Sequence, residues 1–226
     1  NLGLMGVVKL FNQFTVDSRF YMVLEKISGV PLGKQVADDG PLTVNQTLSL
    51  LQPLLKTLDN LHRHNMIHRD ISAGNVFFRS NELDTIQFNQ PVLLDFGMGR
   101  FDNDQESEID VPTEGTRGFR APELFNKQAV SSACDIYSLG ALLYFCLVGK
   151  PPADVEKRLV QDTVKVPQFG DDKIAQGLRA LICDCIQLDV KQRPSADRLL
   201  NKKKFRLLWE TKVSEFPGFN ESVFVD

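Results

Sequence analysis

The sequence is poor in the residues that build disulfide-rich or zinc-binding domains. Its 226 residues include four cysteines, three histidines and one tryptophan. Cys183 and Cys185 stand two positions apart, which points them to different sides of a helix. Because this spacing suits neither a disulfide framework nor a zinc site, we expect reduced thiols and a cytoplasmic protein.

Long hydrophobic runs and an excess of charge of one sign are also absent. The longest apolar stretch, residues 139–148, is shorter than the roughly 20 residues that a membrane-spanning helix needs. The formal net charge is only -3, which predicts no general attraction to nucleic acid or to anionic lipid. We therefore expect neither a membrane nor a nucleic acid as a partner.

The apolar pattern predicts a small β element followed by a large helical body, which is an α+β fold. Residues 6–14 and 19–27 are rich in Val, Phe and Tyr and indicate an antiparallel hairpin around a turn at 15–18. Gly29, Pro31 and Gly33 then interrupt the chain.

The helical body is predicted from residue 43 onward. A helix begins near Thr43 and continues on a leucine repeat, although Pro53 is expected to bend it or to move its start. The almost wholly apolar residues 136–147 predict a buried central helix. Further helices are predicted at 154–160, 173–187 and 195–202.

Polar residues suited to phosphoryl transfer follow two short strand signals. The run HRDISAGNV places Asn75 five positions after Asp70, and Asp95-Phe96-Gly97 follows an apolar stretch that ends at residue 94. Phosphoryl transfer needs a carboxylate that orients the acceptor hydroxyl and oxygen ligands for a divalent metal ion. Either tripeptide alone would be weak evidence, but the two in this order predict such a centre.

These residues resemble the catalytic loop H-R-D-x-x-x-x-N and the D-F-G motif of the eukaryotic-type protein kinase superfamily. The runs GTRGFRAPE at 115–123, DIYSLG at 135–140 and RPS at 193–195 resemble later motifs of the same family. The resemblance implies a protein-kinase-like fold, mainly the helical C-lobe with a remnant β-hairpin of the N-lobe. The implied units are an N-lobe remnant at 1–27, a C-lobe at 28–203 and a packed tail at 204–226.

The resemblance also implies roles for individual residues. Asp70 would be the base, Asn75 and Asp95 would bind Mg²⁺ or Mn²⁺, and ATP would donate the phosphate to a protein substrate. Thr116 would bond to the catalytic Asp70. The residues with implied structural roles are His68, Arg69, Phe96, Gly97, Glu123, Asp135, Arg193 and Leu10. Among them, Glu123 would pair with Arg193. Asp135 would accept hydrogen bonds from the backbone of the catalytic loop.

The nucleotide base would meet the segment after the hairpin. Leu24 resembles the residue before the hinge, and Glu25, Lys26 and Ile27 resemble the hinge itself, while Phe77 would lie beneath the base. Leu10, His68 and Phe96 resemble an apolar stack that orients the metal-binding Asp95. The alternative for Leu10, Leu24 and Phe77 is an ordinary place in the core.

The sequence departs from the family pattern in two ways. No G-x-G-x-x-G loop and no lysine-bearing strand precede the hairpin. An upstream segment or a partner chain would therefore supply the rest of the N-lobe, or the chain would be a non-catalytic regulatory module. Ser72 also stands where serine/threonine kinases have a lysine against the γ-phosphate, so we count it among the catalytic residues and expect slower transfer. The pair Gly74-Asn75 keeps a small-molecule kinase as a further alternative.

Two loops have open interpretations. Residues 102–114 are acidic and flank Ser107 and Thr113, which could be phosphorylated and pair with Arg69; the alternative is a solvated charged loop. The turn at 79–90 is long, and is either a docking surface or simply tolerated loop length.

Overall fold

A computed structural model describes residues 6–80, 85–97, 99–101, 118–125, 130–152, 158, 164–203, 205 and 208. The predicted helix at 154–160, apart from Arg158, lies outside these residues. So do Ser107, Thr113 and Thr116, and the tail apart from Phe205 and Leu208, which are both buried.

The strands form three small antiparallel sheets. Strands β1 (Leu10–Val16) and β2 (Arg19–Leu24) make the predicted hairpin, and β3 (Gly29–Pro31), β5 (Val76–Ser80) and β6 (Ile86–Leu93) make a second sheet in the order β3-β5-β6. The third sheet pairs β4 (Met66–Ile67) with β7 (Arg100–Phe101).

Five α-helices build the body of the described chain. They are α1 (Leu32–Asp39), α2 (Val44–Arg63), α3 (Ala133–Val148), α4 (Lys173–Cys185) and α5 (Ala196–Asn201). Short 3-10 turns lie at Pro122–Leu124 and Val190–Gln192. Helix α2 packs against β6, α3 and α5, while α3 also packs against α4.

The core lies between α2, α3 and the second sheet. Fully buried leucines line α2 at positions 50, 51, 54, 55, 58 and 61, and α3 is buried along most of its length, as its sequence predicted. Where α3 crosses the end of α4, a Cβ atom on Gly140 would lie 2.5 Å from the Cβ of Cys185. Only glycine therefore allows the two helices to approach this closely.

The hairpin is confirmed, but its turn is tighter than predicted. Asp17 and Ser18 alone form the turn, with φ angles of 47° and 60°. Two central residues with positive φ match the right-handed twist of the strands they join. Before the first strand, Val7 instead bridges to Leu93 at the end of β6.

One prediction about the helices is wrong, and one of the two effects expected of Pro53 is absent. The break expected at Gly33 is absent, because residues 32–39 form α1. Pro31 has φ -66° at the N-cap, and Gly33 lies in the first turn, where its N–H donates to the Ala73 carbonyl at 2.8 Å. Pro53 does not move the start of α2, which begins after Thr43 with a capping box to Gln46. Burial of the leucine face outweighs the loss of one backbone hydrogen bond at Pro53.

All four cysteines are free thiols. Burial raises the pKa of Cys134, Cys146 and Cys185, which fits a space-filling role. Within the described residues, no helix is both long and apolar enough to cross a membrane.

Candidate active site

The loop after β4 is held in place by one buried carboxylate. Asp135, in the first turn of α3, accepts hydrogen bonds from the backbone N–H of His68 at 2.9 Å and of Arg69 at 2.8 Å. Arg69 has φ 67°, a conformation that side chains rarely adopt, and such strain persists only where the surroundings enforce it. The bond from Asp135 to the loop backbone, which the resemblance implied, is present.

His62 completes this anchor, although it was not among the residues predicted for the site. Its Nε2 atom lies 2.9 Å from Oδ2 of Asp135 across 73 residues of sequence. Burial alone would raise the pKa of Asp135, but the hydrogen bond and charge of His62, together with His68, lower it below its ordinary value. A usable signal was the spacing of Leu54, Leu58 and His62, which places His62 on the inward face of α2.

His68 is buried and links the two motifs. Its Nε2 donates to the carbonyl of Leu94 at 3.0 Å, while its Nδ1 accepts from the N–H of Asp70 at 3.3 Å. Its ring meets Phe96 edge-on, with 4.6 Å between the ring centroids. Both ring nitrogens are bonded inside the protein. His68 therefore connects the loop at Asp70 to the segment at Leu94, and it does not face a substrate.

Asn75 and Asp70 form a joined pair. The Nδ2 of Asn75 donates to the backbone carbonyl of Asp70 at 2.9 Å and to its Oδ2 at 2.8 Å. The N–H of Leu94 donates to the Asn75 carbonyl at 2.8 Å, which fixes the loop to the strand that precedes Asp95. Because both Nδ2 protons are used within the loop, Oδ1 of Asn75 is the atom available to a ligand.

Asp95 follows β6 as an exposed carboxylate. Its backbone has φ 59°, and its Oδ1 accepts from the N–H of Gly97 at 3.0 Å. A Cβ atom on Gly97 would lie 2.9 Å from that oxygen, so glycine is needed beside the carboxylate. A strained backbone that presents a charged group to solvent is typical of a functional site.

The donors present fit magnesium and not zinc. Among the described residues, no three His, Cys, Asp or Glu side chains form a group that could hold a metal ion. Mg²⁺ needs less protein, because it commonly takes one or two carboxylate or amide oxygens and completes its shell with water and substrate phosphates. Asn75 Oδ1 and the Asp95 carboxylate supply ligands of that kind.

Ser72 lies in the same loop but faces inward. Its side chain is buried, and its Oγ makes no hydrogen bond in the part of the chain that the structure describes. A buried hydroxyl without a partner is unfavourable by about 1–3 kcal/mol and marks a position that packing alone does not explain. A role beside the transferred phosphate stays a prediction.

A second buried ion pair braces the 3-10 turn at Pro122–Leu124. Glu123 and Arg193 form two parallel hydrogen bonds of 2.6 and 2.9 Å, with both side chains almost fully buried. Tyr137 lies against Arg193, and its hydroxyl accepts from Arg158 at 2.9 Å. The expected pairing is thus present, and Arg158 extends it in a way that the sequence did not reveal.

Arg120 adds a further buried cation near Asp70. It is 5% exposed and lies over the ring of Phe125. Burial lowers the pKa of Arg120, while the charge of Asp70 opposes that shift and the charge of Arg69 adds to it. Positive charge therefore accumulates beside the carboxylate of the catalytic loop.

The residues expected to meet a nucleotide base lie at the end of β2, in the segment between β2 and β3, and on β5. Leu24 ends β2 and is paired in register with Leu10, and Glu25 and Ile27 are half-buried. Lys26 is exposed, and Phe77 is half-buried within β5. His68 and Phe96 are in contact, whereas Leu10 lies at the start of β1.

Comparison with known proteins gives one consistent result. A family model described as "protein kinase domain" matches residues 1–205. Calcium/calmodulin-dependent protein kinase cmkB of Emericella nidulans is 26% identical over 205 residues, covering 88% of this chain and 50% of the relative. Serine/threonine-protein kinase D of Synechocystis is 33% identical over 196 residues, covering 84% of this chain and 36% of the relative. The chain thus spans half or less of the length of these relatives.

Proposed function

This chain belongs to the protein kinase family, and on that premise we propose that it transfers the γ-phosphate of ATP to serine or threonine hydroxyls of proteins. The observation that carries the proposal is the joined pair of Asp70 and Asn75, held beside the strand that ends at Asp95. The similar proteins named above are called protein kinases, which favours a protein acceptor over a small molecule.

Asp70 would orient the acceptor hydroxyl and take its proton. Asn75 holds one carboxylate oxygen of Asp70 through Nδ2, so the other oxygen is the one that would face the acceptor. A positioned general base typically accelerates a reaction about 10²–10⁴-fold. The loop backbone that carries Asp70 is fixed by Asp135, which keeps this orientation ready before the substrate binds.

Asn75 and Asp95 would hold Mg²⁺ or Mn²⁺. When bound, the ion would neutralise charge on the phosphates of ATP. Gly97 and Asn75 contribute from the protein side, because their bonds aim the Asp95 carboxylate and the Asn75 Oδ1.

The hinge residues Glu25, Lys26 and Ile27 would meet the adenine edge, with Leu24 at its rear and Phe77 beneath it. We propose that further strands cover the hairpin in the working protein, supplied by a longer chain or by a partner chain. Supporting this, large apolar side chains of the hairpin are exposed, with Phe11 at 66% and Phe20 at 61%. The free thiols fit a cytoplasmic location, which belongs to the same proposal.

The observation of an uncovered hairpin also favours a second candidate. In it, the chain is a kinase-like module that does not itself transfer phosphate and that regulates or scaffolds another protein. The two candidates differ in whether phosphate is transferred.

The test is transfer of radiolabelled γ-phosphate from ATP to protein in the presence of Mg²⁺. Replacing Asp70 by Asn preserves shape and is expected to lower kcat about 10²–10⁴-fold. The control is Asp197→Asn, which changes an exposed carboxylate that pairs with Arg63 on the surface. Equal transfer by the parent and by Asp70→Asn would overturn the proposal. No transfer by a parent protein in which further strands cover the hairpin would favour the regulatory module.

A further inference from the structure

An ion pair joins the hinge to the strand that runs beneath the proposed base site. The Nη2 of Arg79, on β5, lies 2.8 Å from Oε1 of Glu25. The side chains are 32% and 17% exposed, so that the pair is partly shielded from solvent. Arg79 was not among the residues predicted for the site, because it lies far from Glu25 in sequence.

The hinge backbone is also held at each end. The N–H of Glu25 donates to the Lys9 carbonyl at 2.8 Å, and the N–H of Ser80 donates to the Ser28 carbonyl at 2.9 Å. Between these two bonds, the backbone of Lys26 and Ile27 makes no backbone hydrogen bond within the described chain. The hinge is thus a short bridge, fixed at its ends and with its central N–H and C=O groups available to a ligand.

Strand β5 connects this bridge to the floor of the site. Phe77 and Arg79 are two positions apart and therefore share one face of the strand, while Val76 and Phe78 are buried on the other. The register with β6 shifts between Phe78 and Arg79, from Pro91 to Gln87. The residues added by this shift lie on β6 and not on β5, which carries Phe77 and Arg79.

We propose that Arg79 is a positioning residue for nucleotide binding, one that holds Glu25 and so aims the hinge backbone at the base. The inference rests on the proposed function and adds a residue to it. Without the ion pair, the hinge would adopt other conformations for part of the time. The apparent affinity for a nucleotide falls in proportion to the fraction of molecules that are competent to bind.

The test measures binding of ADP and of tripolyphosphate, each with Mg²⁺, by titration calorimetry. Arg79→Gln is expected to weaken ADP binding about two- to fivefold, the range that a partly exposed ion pair can supply. Tripolyphosphate lacks the base, so its affinity should not follow that of ADP. Arg79→Lys keeps the charge and should retain most of the affinity, and the exchange Glu25→Arg with Arg79→Glu should restore part of it.

Arg63→Gln is the matched control, since Arg63 also forms ion pairs, with Asp59 and Asp197, but lies at the end of α2. The role of Arg79 would be overturned if Arg79→Gln bound ADP as tightly as the parent, or if ADP and tripolyphosphate weakened equally. Failure of the parent to bind ADP at all would instead overturn the nucleotide site itself, and with it this inference.

Discussion

The β1–β2 hairpin and helix α2 are both rich in large apolar side chains, but they place them in opposite environments. Phe11 and Phe20 of the hairpin are 66% and 61% exposed, whereas Leu50 and Leu54 of α2 are fully buried. The half of the molecule that carries the catalytic loop therefore has its own core. The half that would cover the nucleotide contributes a hairpin whose faces have no such core beneath them.

This comparison explains how the proposed catalytic loop is held in place. Asp135, His62 and His68 fix the loop through hydrogen bonds that all lie within the half that has its own core. The hinge, by contrast, joins the two halves and depends on a few contacts, among them the ion pair of Glu25 and Arg79.

The largest expected difference in stability is between two Phe→Ala substitutions, one on β5 in the half with the core and one in the hairpin. Phe78 is fully buried on β5, and Phe78→Ala should lower the free energy of unfolding by about 3–5 kcal/mol. Phe20→Ala should change it by less than about 0.5 kcal/mol, because Phe20 is largely exposed. Urea unfolding of both variants measures the difference, and equal losses would contradict the distinction between the halves.

The second prediction concerns the buried ion pair of the catalytic half. Arg193→Met leaves the Glu123 carboxylate buried without its partner and should lower the free energy of unfolding by about 3–5 kcal/mol. The double variant Glu123→Met with Arg193→Met removes the buried charge as well and should recover at least half of the loss. Additive losses in a double-mutant cycle would show that the two side chains do not act as a pair.

The third prediction addresses the crossing of α3 and α4. Gly140→Ala would place a Cβ against Cys185 and should lower the free energy of unfolding by about 1–2 kcal/mol, despite a gain in helix propensity of about 1 kcal/mol. Gly177→Ala is the control, because its Cβ would meet only the flexible end of Leu208. The melting temperatures of the two variants should separate, and a Gly140→Ala variant as stable as the parent would refute the packing argument.

The fourth and smallest effect depends on pH. The pKa of Asp135 is lower in the folded protein than the ordinary value of about 3.9, so its carboxylate stabilises the fold above that value. This contribution is lost progressively as the pH falls below that value and through the lower pKa of the folded protein, where the buried carboxylate itself becomes protonated. Asp135→Asn should therefore be less stable at neutral pH and lose less stability on acidification. Parallel urea midpoints for both proteins between neutral and acid pH would be the contrary result.

The sequence singled out candidates for the centre of the site and some of their supports, but not all of them. Asp70, Asn75 and Asp95 were identifiable because phosphoryl transfer demands those residue types in fixed local order. His62 was not, because its partner Asp135 lies 73 residues away and no local pattern reports such a contact. Arg79 was missed for the same reason.

Local patterns also misled where tertiary contacts decide. Gly33 indicated a break, yet its bond to Ala73 places it in the first turn of α1. The shifted register at Arg79 could not be foreseen, since pairing between β5 and β6 depends on packing beyond either strand.

The most direct test of the account is whether nucleotide binding depends on the metal through Asp95. ADP affinity would be measured by titration calorimetry with and without Mg²⁺, for the parent and for Asp95→Asn. The account predicts that Mg²⁺ strengthens ADP binding to the parent and that this strengthening is lost in Asp95→Asn. An affinity that does not change with Mg²⁺, or that changes equally in both proteins, would contradict the assignment of Asn75 and Asp95 as the metal-binding half of a phosphotransfer centre.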